Sequence, residues 1–217
     1  MNRRALPAAA SLTATAVLLL TACGSGGGDG SSSDKIKGAG QGGNSSSSPS
    51  ASAPASSGGV DRPGITLPRS FQANFESWTN SNPKLQAILN DGGEELKSKY
   101  AAIIESDPDS DAVSFYNSEA TLTSARKWIK QFVDDDDSLI GKVVVFDPQV
   151  HINDTGSGVL FYCVDERGAS TKNRKTGKVT ATPDEPDSVI QYRARLDKTS
   201  QGVWKTVALT TVPGACR

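Results

Sequence analysis

The chain has 217 residues, with 23 Lys and Arg against 24 Asp and Glu, one histidine and a net charge of −1. Without a basic excess there is no electrostatic footprint for a nucleic-acid partner, and a single histidine excludes a histidine-rich metal site. The 3 cysteines are Cys23, Cys163 and Cys216, and their positions bear on where the protein works.

Arg3 and Arg4 precede an apolar run from Ala5 to Leu20 that ends in small residues, the layout of a secretory signal. A membrane-crossing helix needs about 20 apolar residues. This run is shorter and is interrupted by Pro7, Ser11, Thr13 and Thr15. Leu20-Thr21-Ala22-Cys23 resembles the bacterial lipobox: an aliphatic residue, two small ones, then the cysteine that is lipidated. The resemblance implies a diacylglyceryl group on the Cys23 thiol, removal of residues 1–22, and a mature chain anchored on the extracytoplasmic face of the cell membrane. One acyl chain, at about 0.8 kcal/mol per buried CH₂, holds a protein only marginally, so two or more chains are needed for a stable anchor.

Residues 23–62 read as a tether. Gly24 to Gly59 is Gly, Ser, Ala and Pro with hardly a large apolar side chain, too little to offset the entropy of ordering. As a random coil its ends would lie about 30–35 Å apart. Residues 63–217 are one domain's worth of chain. Losing Arg3 and Arg4 leaves 21 basic against 24 acidic residues, a net charge near −3, which offers no steering field for a strongly charged ligand. With Cys23 assigned to lipid, Cys163 and Cys216 remain as an even pair in an exported domain, most simply a disulfide. The C-x-x-C spacing of a redox pair is absent.

Phe71, Phe75 and Trp78 fall at i, i+4, i+7 and predict a short helix after Pro68. Leu85, Leu89, Gly92, Leu96, Tyr100 and Ile103 keep one helical phase across Asn90-Asp91-Gly92-Gly93, which predicts one long helix with a weak point. Leu122, Ala125, Trp128, Ile129, Phe132 and Val133 form the apolar stripe of a further helix. Val143 to Ile152 alternates around a bulge expected at Pro148. Asn153-Asp154-Thr155-Gly156 is turn chemistry leading to a partner strand over Val159 to Asp165. After a polar loop, Val189–Leu196 and Val203–Val212 form a second hairpin. The class is α+β, with helices on one face of an antiparallel sheet of four or more strands. In such a meander the strand of Cys163 and the last strand are two spacings apart, about 10 Å. A bridge therefore requires the tail to leave the ladder at Pro213-Gly214 and fold back.

This element order resembles the NTF2-like superfamily, a cone whose curved sheet wraps its helices around a pocket. The segments "SARKWIKQFVDD", "LFYCVDE", "KTGKV", "GVWKTV" and "GAC" are similar to a group of uncharacterised actinobacterial lipoproteins, over roughly Leu67 to Arg217. The resemblance supplies no reaction. The pocket acids of ketosteroid isomerases and polyketide cyclases do not map onto this chain.

Candidate chemistry is sparse. His151, in an alternating strand, reads as an ordinary side chain before a general base. Ser157 stands between Gly156 and Gly158 without the G-x-S-x-G elbow. Thr176-Gly177-Lys178 lacks the upstream glycine of a phosphate loop, so Lys172, Arg174, Lys175 and Lys178 read as a solvated basic loop before an anion site. Asp107, Asp109 and Asp111 begin like a calcium loop, but Ala112 replaces the required glycine and Ser118 the closing glutamate. Asp134 to Asp137 read as four carboxylates at a helix C-terminus, against the dipole. Asp165, facing with Cys163 by the period of two, is the best-placed acid if Cys163 faces the core. The expected function is a non-catalytic binding or assembly module for an envelope protein or small ligand, with no cofactor or metal. The alternative is an isomerase- or cyclase-like enzyme using Asp165 or His151.

Overall fold

The computed structural model describes residues 60–216; the lipobox and nearly all of the tether lie outside them. The first regular element is a strand, β1 (Phe71–Phe75), and not the predicted helix. Phe71 and Phe75 satisfy both the helical period and, with Ala73, the alternation of a strand, and five residues of parallel ladder, Phe71↔Gly141 to Phe75↔Val145, decide between the two. A helix this short is marginal alone. Phe71 is buried edge-on against Tyr100.

The long helix α1 (Pro83–Glu105) is continuous. Asn82 accepts from the Lys84 N–H at its N-cap, Pro83 opens the first turn, and Ser106 closes it in the left-handed region. Gly92 and Gly93 stand tightly against the rest of the fold. A β-carbon on Gly92 would stand 2.6 Å from Leu160 Cδ2, and one on Gly93 3.0 Å from Trp78 Nε1. The Trp78 indole also donates to Leu89 O at 2.8 Å.

A short helix, α2 (Asp111–Tyr116), precedes α3 (Glu119–Asp134). The aspartates that begin like a calcium loop serve other purposes. Asp107 accepts from the Asp109 N–H, Asp109 pairs with Arg126, and Asp111 opens α2. The run Asp134–Asp137 is likewise divided. Asp134 ends α3 beside Lys130, Asp135 caps it, Asp136 has φ 57° and pairs with Lys175, and Asp137 begins a strand.

That strand, β2 (Asp137–Ile152), starts earlier than Val143. Its bulge lies where Pro148 predicts it, between Phe146 and Gln149, with Asp147 at φ 50°. The Asn153 carboxamide accepts from Thr155 N and Ser157 N to close the turn, and Gly156 takes φ +84° there. β3 (Gly158–Asp165) returns against Val144–Ile152. The predicted polar loop holds two further strands, β4 (Ala169–Asn173) and β5 (Val179–Ala181). β4 pairs with Asp137–Gly141 of β2, continuing the line of β3 past Glu166-Arg167-Gly168. The basic loop joining β4 to β5 is not simply solvated. Arg174 donates to Ile103 O and Ile104 O at the end of α1 and to Asp137 O, a cation where the helix dipole favours one.

The second hairpin is β6 (Val189–Lys198) and β7 (Trp204–Pro213). The seven-stranded sheet runs β5-β4-β2-β3-β6-β7 with β1 added to β2. Leu160, Tyr162 and Val164 of β3 share one buried cluster with Leu89, Leu96 and Ile103 of α1 and Ile129 of α3. The fold is α+β with the helices packed on one face of the sheet, as the element order predicts. The tail folds back as required: Gly214 has φ +69° and donates to Val189 O, and the Cys163–Cys216 disulfide spans 6.0 Å between Cα atoms.

Candidate functional site

Which side chains of β3 face the helices follows from its alternation. Gly158, Leu160, Tyr162 and Val164 are buried inward, so Cys163 lies on the outer face, 5% exposed beside the tail that it bridges. Asp165 shares that outer face, and Glu166 continues the inward set by the period of two. Glu166-Arg167-Gly168 stand opposite only Lys142-Val143 between the pairs Val144↔Asp165 and Gly141↔Ala169. The extra residue is a bulge that re-aims the strand, and beyond it the odd-numbered Ala169 is buried.

A cavity of about 390 Å³ lies between α1, α3 and the sheet, within the range of small-molecule sites. Trp128 and Phe132 of α3 form an aromatic wall, edge to face at 5.4 Å. Opposite them stand Ile190 and Tyr192 of β6 and Leu209 and Thr211 of β7. Asn117, Thr121 and Ser124 line one end. They are held because Ser118 N and Thr121 Oγ1 both donate to Thr206 O, at 2.9 and 2.6 Å.

Three charged groups line the cavity: Glu95, Lys99 and Glu166. Glu95 and Lys99 are one helical turn apart on α1, with Nζ 3.0 Å from Oε1 and side chains only 3% and 5% exposed. Withdrawing such a pair from water is costly, and Lys99 also sits over the Tyr192 ring, 6.0 Å from its centroid. Asn117 Oδ1 and Tyr100 OH are buried without hydrogen-bond partners among the described residues. Glu166 enters no hydrogen bond or ion pair through its side chain among the described residues, and burial alone raises its carboxyl above the ordinary value. Burial also raises the hydroxyls of Tyr100, Tyr162 and Tyr192 far above theirs, so they remain protonated donors.

The sequence candidates lie elsewhere. Asp165 pairs with Arg167 through a bidentate contact, 2.9 and 2.7 Å, and this guanidinium holds its carboxyl below the usual range. His151 is exposed on β2 opposite Val159. Neither lines the cavity. Glu166 stands beside Asp165 in sequence, but assigning the inward face through Cys163 picks the wrong parity. Glu95 and Lys99 lie on α1 just beside the stripe that reads as core, where charged residues read as a solvated flank.

A second buried polar group lies at the start of the domain. Asp91 on α1 is 1% exposed, accepts from the Trp204 N–H at 2.8 Å and receives Arg62 Nε and Nη2, each at 3.1 Å. Its carboxyl is raised by burial, partly offset by the Trp204 bond and by Arg62.

No protein-family model matches this chain, and no curated protein does. Solved structures of similar layout include a ketosteroid isomerase-like protein from Erwinia carotovora atroseptica, at 15% identity and a TM-score of 0.43, covering 60% of this chain and 95% of that one. The protein Aln2 from a Streptomyces species has 14% identity and a TM-score of 0.40, covering 58% and 90%. The intermembrane space region of the chloroplast protein ARC6 has 9% identity and a TM-score of 0.44, covering 59% and 96%.

Proposed function

We propose that this protein is an extracytoplasmic lipoprotein, anchored through Cys23, whose α+β domain is a non-catalytic binding module that takes a small ligand between α1, α3 and the sheet. The observation that carries the reading is the open cavity itself. Trp128 and Phe132 give it an aromatic wall, and the buried Asn117 Oδ1 among its lining has no partner among the described residues, an arrangement suited to burying a ligand and orienting it. The Cys163–Cys216 bridge fits an oxidising compartment. Purification of the full chain from its membrane in mild detergent, followed by native mass spectrometry, tests the module. A bound small molecule is expected, and Ala125→Trp, which fills the cavity from α3, should abolish it. A bare protein mass, or an adduct indifferent to Ala125→Trp, would count against the pocket. Cys23→Ser should abolish labelling by an alkyne fatty acid; undiminished labelling would remove the anchor from the proposal.

One observation favours a second reading, acid–base chemistry of the isomerase or cyclase kind. Glu166 lines the cavity, and burial raises its carboxyl above the ordinary value, the direction in which a carboxyl group is tuned for acid–base work. In this reading Glu166 replaces Asp165 and His151, which lie outside the cavity. Turnover of a carbonyl substrate that Glu166→Gln abolishes would establish it.

A further inference from the structure

Resting on the reading of the domain as a binding module, we propose that the cavity takes a small organic cation: an ammonium group carried on an apolar or aromatic body. The charge balance of the lining is the first ground. The Lys99 ammonium is already engaged by Glu95 at 3.0 Å. Glu166 has no counter-charge among the described residues, which leaves one carboxylate unbalanced.

Hydrogen-bonding polarity is the second ground. The Asn117 carboxamide donates through Nδ2 to Val113 O at 3.0 Å, which leaves Oδ1 as its free atom. Asn117 is 3% exposed and lines the cavity, so its unpartnered acceptor suits a ligand that brings N–H donors. An anion would meet this acceptor and Glu166 with only the occupied Lys99 in its favour.

The walls are the third ground. Trp128 and Phe132 border the same space, and aromatic faces attract a cation most strongly once it is desolvated.

The test uses the full chain in detergent at neutral pH, titrated calorimetrically with three ligands of nearly equal shape: benzylammonium, benzyl alcohol and benzoate. Benzylammonium should bind at least about tenfold more tightly than the alcohol, with benzoate weakest. Glu166→Gln should bring benzylammonium to the level of the alcohol, while Asp154→Asn, which removes a charge at an exposed turn, should leave the ranking intact. The ranking on the unsubstituted chain decides the matter even if Glu166→Gln does not fold. A preference for benzoate, or equal binding of amine and alcohol, would overturn the cation while leaving a binding pocket. Absence of saturable binding by all three would overturn the cation, and the native mass measurement would then decide the pocket separately.

Discussion

Two adjacent acids, Asp165 and Glu166, show how strongly one step along a strand changes a carboxyl group. Asp165 points outward to Arg167 and is held in its ionised form; Glu166 points inward, and burial favours its neutral form. The folded state thus holds the Glu166 proton more tightly than the unfolded chain. Below the ordinary value of 4.5 both states are protonated and the group costs nothing. As pH rises from there through the raised value, ionisation favours the unfolded chain and stability falls to a plateau. Glu166→Gln should therefore melt with the wild type at low pH and above it at neutral pH, as thermal denaturation across pH would show. A variant that melts lower at neutral pH would mean that the carboxylate has a compensating partner. Gly92 makes the contrast with intrinsic propensity. In an exposed helix, alanine would gain about 1 kcal/mol over glycine. Here its methyl would press on fully buried Leu160, where overpacking costs about 1–3 kcal/mol. Gly92→Ala should lose about 1 kcal/mol in chemical denaturation, and a stabilised variant would show that the α1–β3 contact is slack.

At the scale of elements, the tail is the part most dependent on one bond. Cys216→Ser should cost about 2–4 kcal/mol and expose the Cys163 face, measured by denaturation and by amide exchange in residues 214–216. Unchanged exchange there would mean that Gly214 N–H bonding to Val189 alone holds the tail. This return path was legible before any coordinates, because strand spacing forbids a direct bridge. Helix α3 was equally plain, since its stripe from Leu122 to Val133 fits one period only. β1 was not: Phe71 and Phe75 satisfy both periods, and the partner that decides lies at residues 141–145, far off in sequence. β4 and β5 escaped because polar residues such as Ser170, Lys172 and Asn173 form a strand through pairing with β2, and Val179–Ala181 through pairing with β4, not through a buried face of their own. The cavity acid was missed because Cys163 is buried by the tail on the outer face of the sheet, where alternation alone would place a solvated residue.

Across the whole molecule, the segment ahead of β1 is more closely joined to the domain than its composition implies. Arg62 falls within the stretch that reads as tether, yet it pairs with the buried Asp91 of α1. Deleting residues 24–59 should leave the melting temperature nearly unchanged. Extending the deletion through Arg62 should cost about 2 kcal/mol, since Asp91 would keep the Trp204 N–H but lose its cation. Equal melting of the two deletions would mean that the pair contributes nothing, and a drop from the first alone would mean that the tether docks. The same path into the fold governs how the domain answers mechanical load. A pull applied at residue 60 reaches the fold first through the guanidinium clasp on α1 and then through β1, which is drawn along its own axis beside the parallel β2. From Gly141 N–H on Ser70 O to Glu76 N–H on Val145 O, the cross-strand bonds are then sheared together instead of being opened one at a time, so tension arriving through residue 60 meets the whole ladder at once.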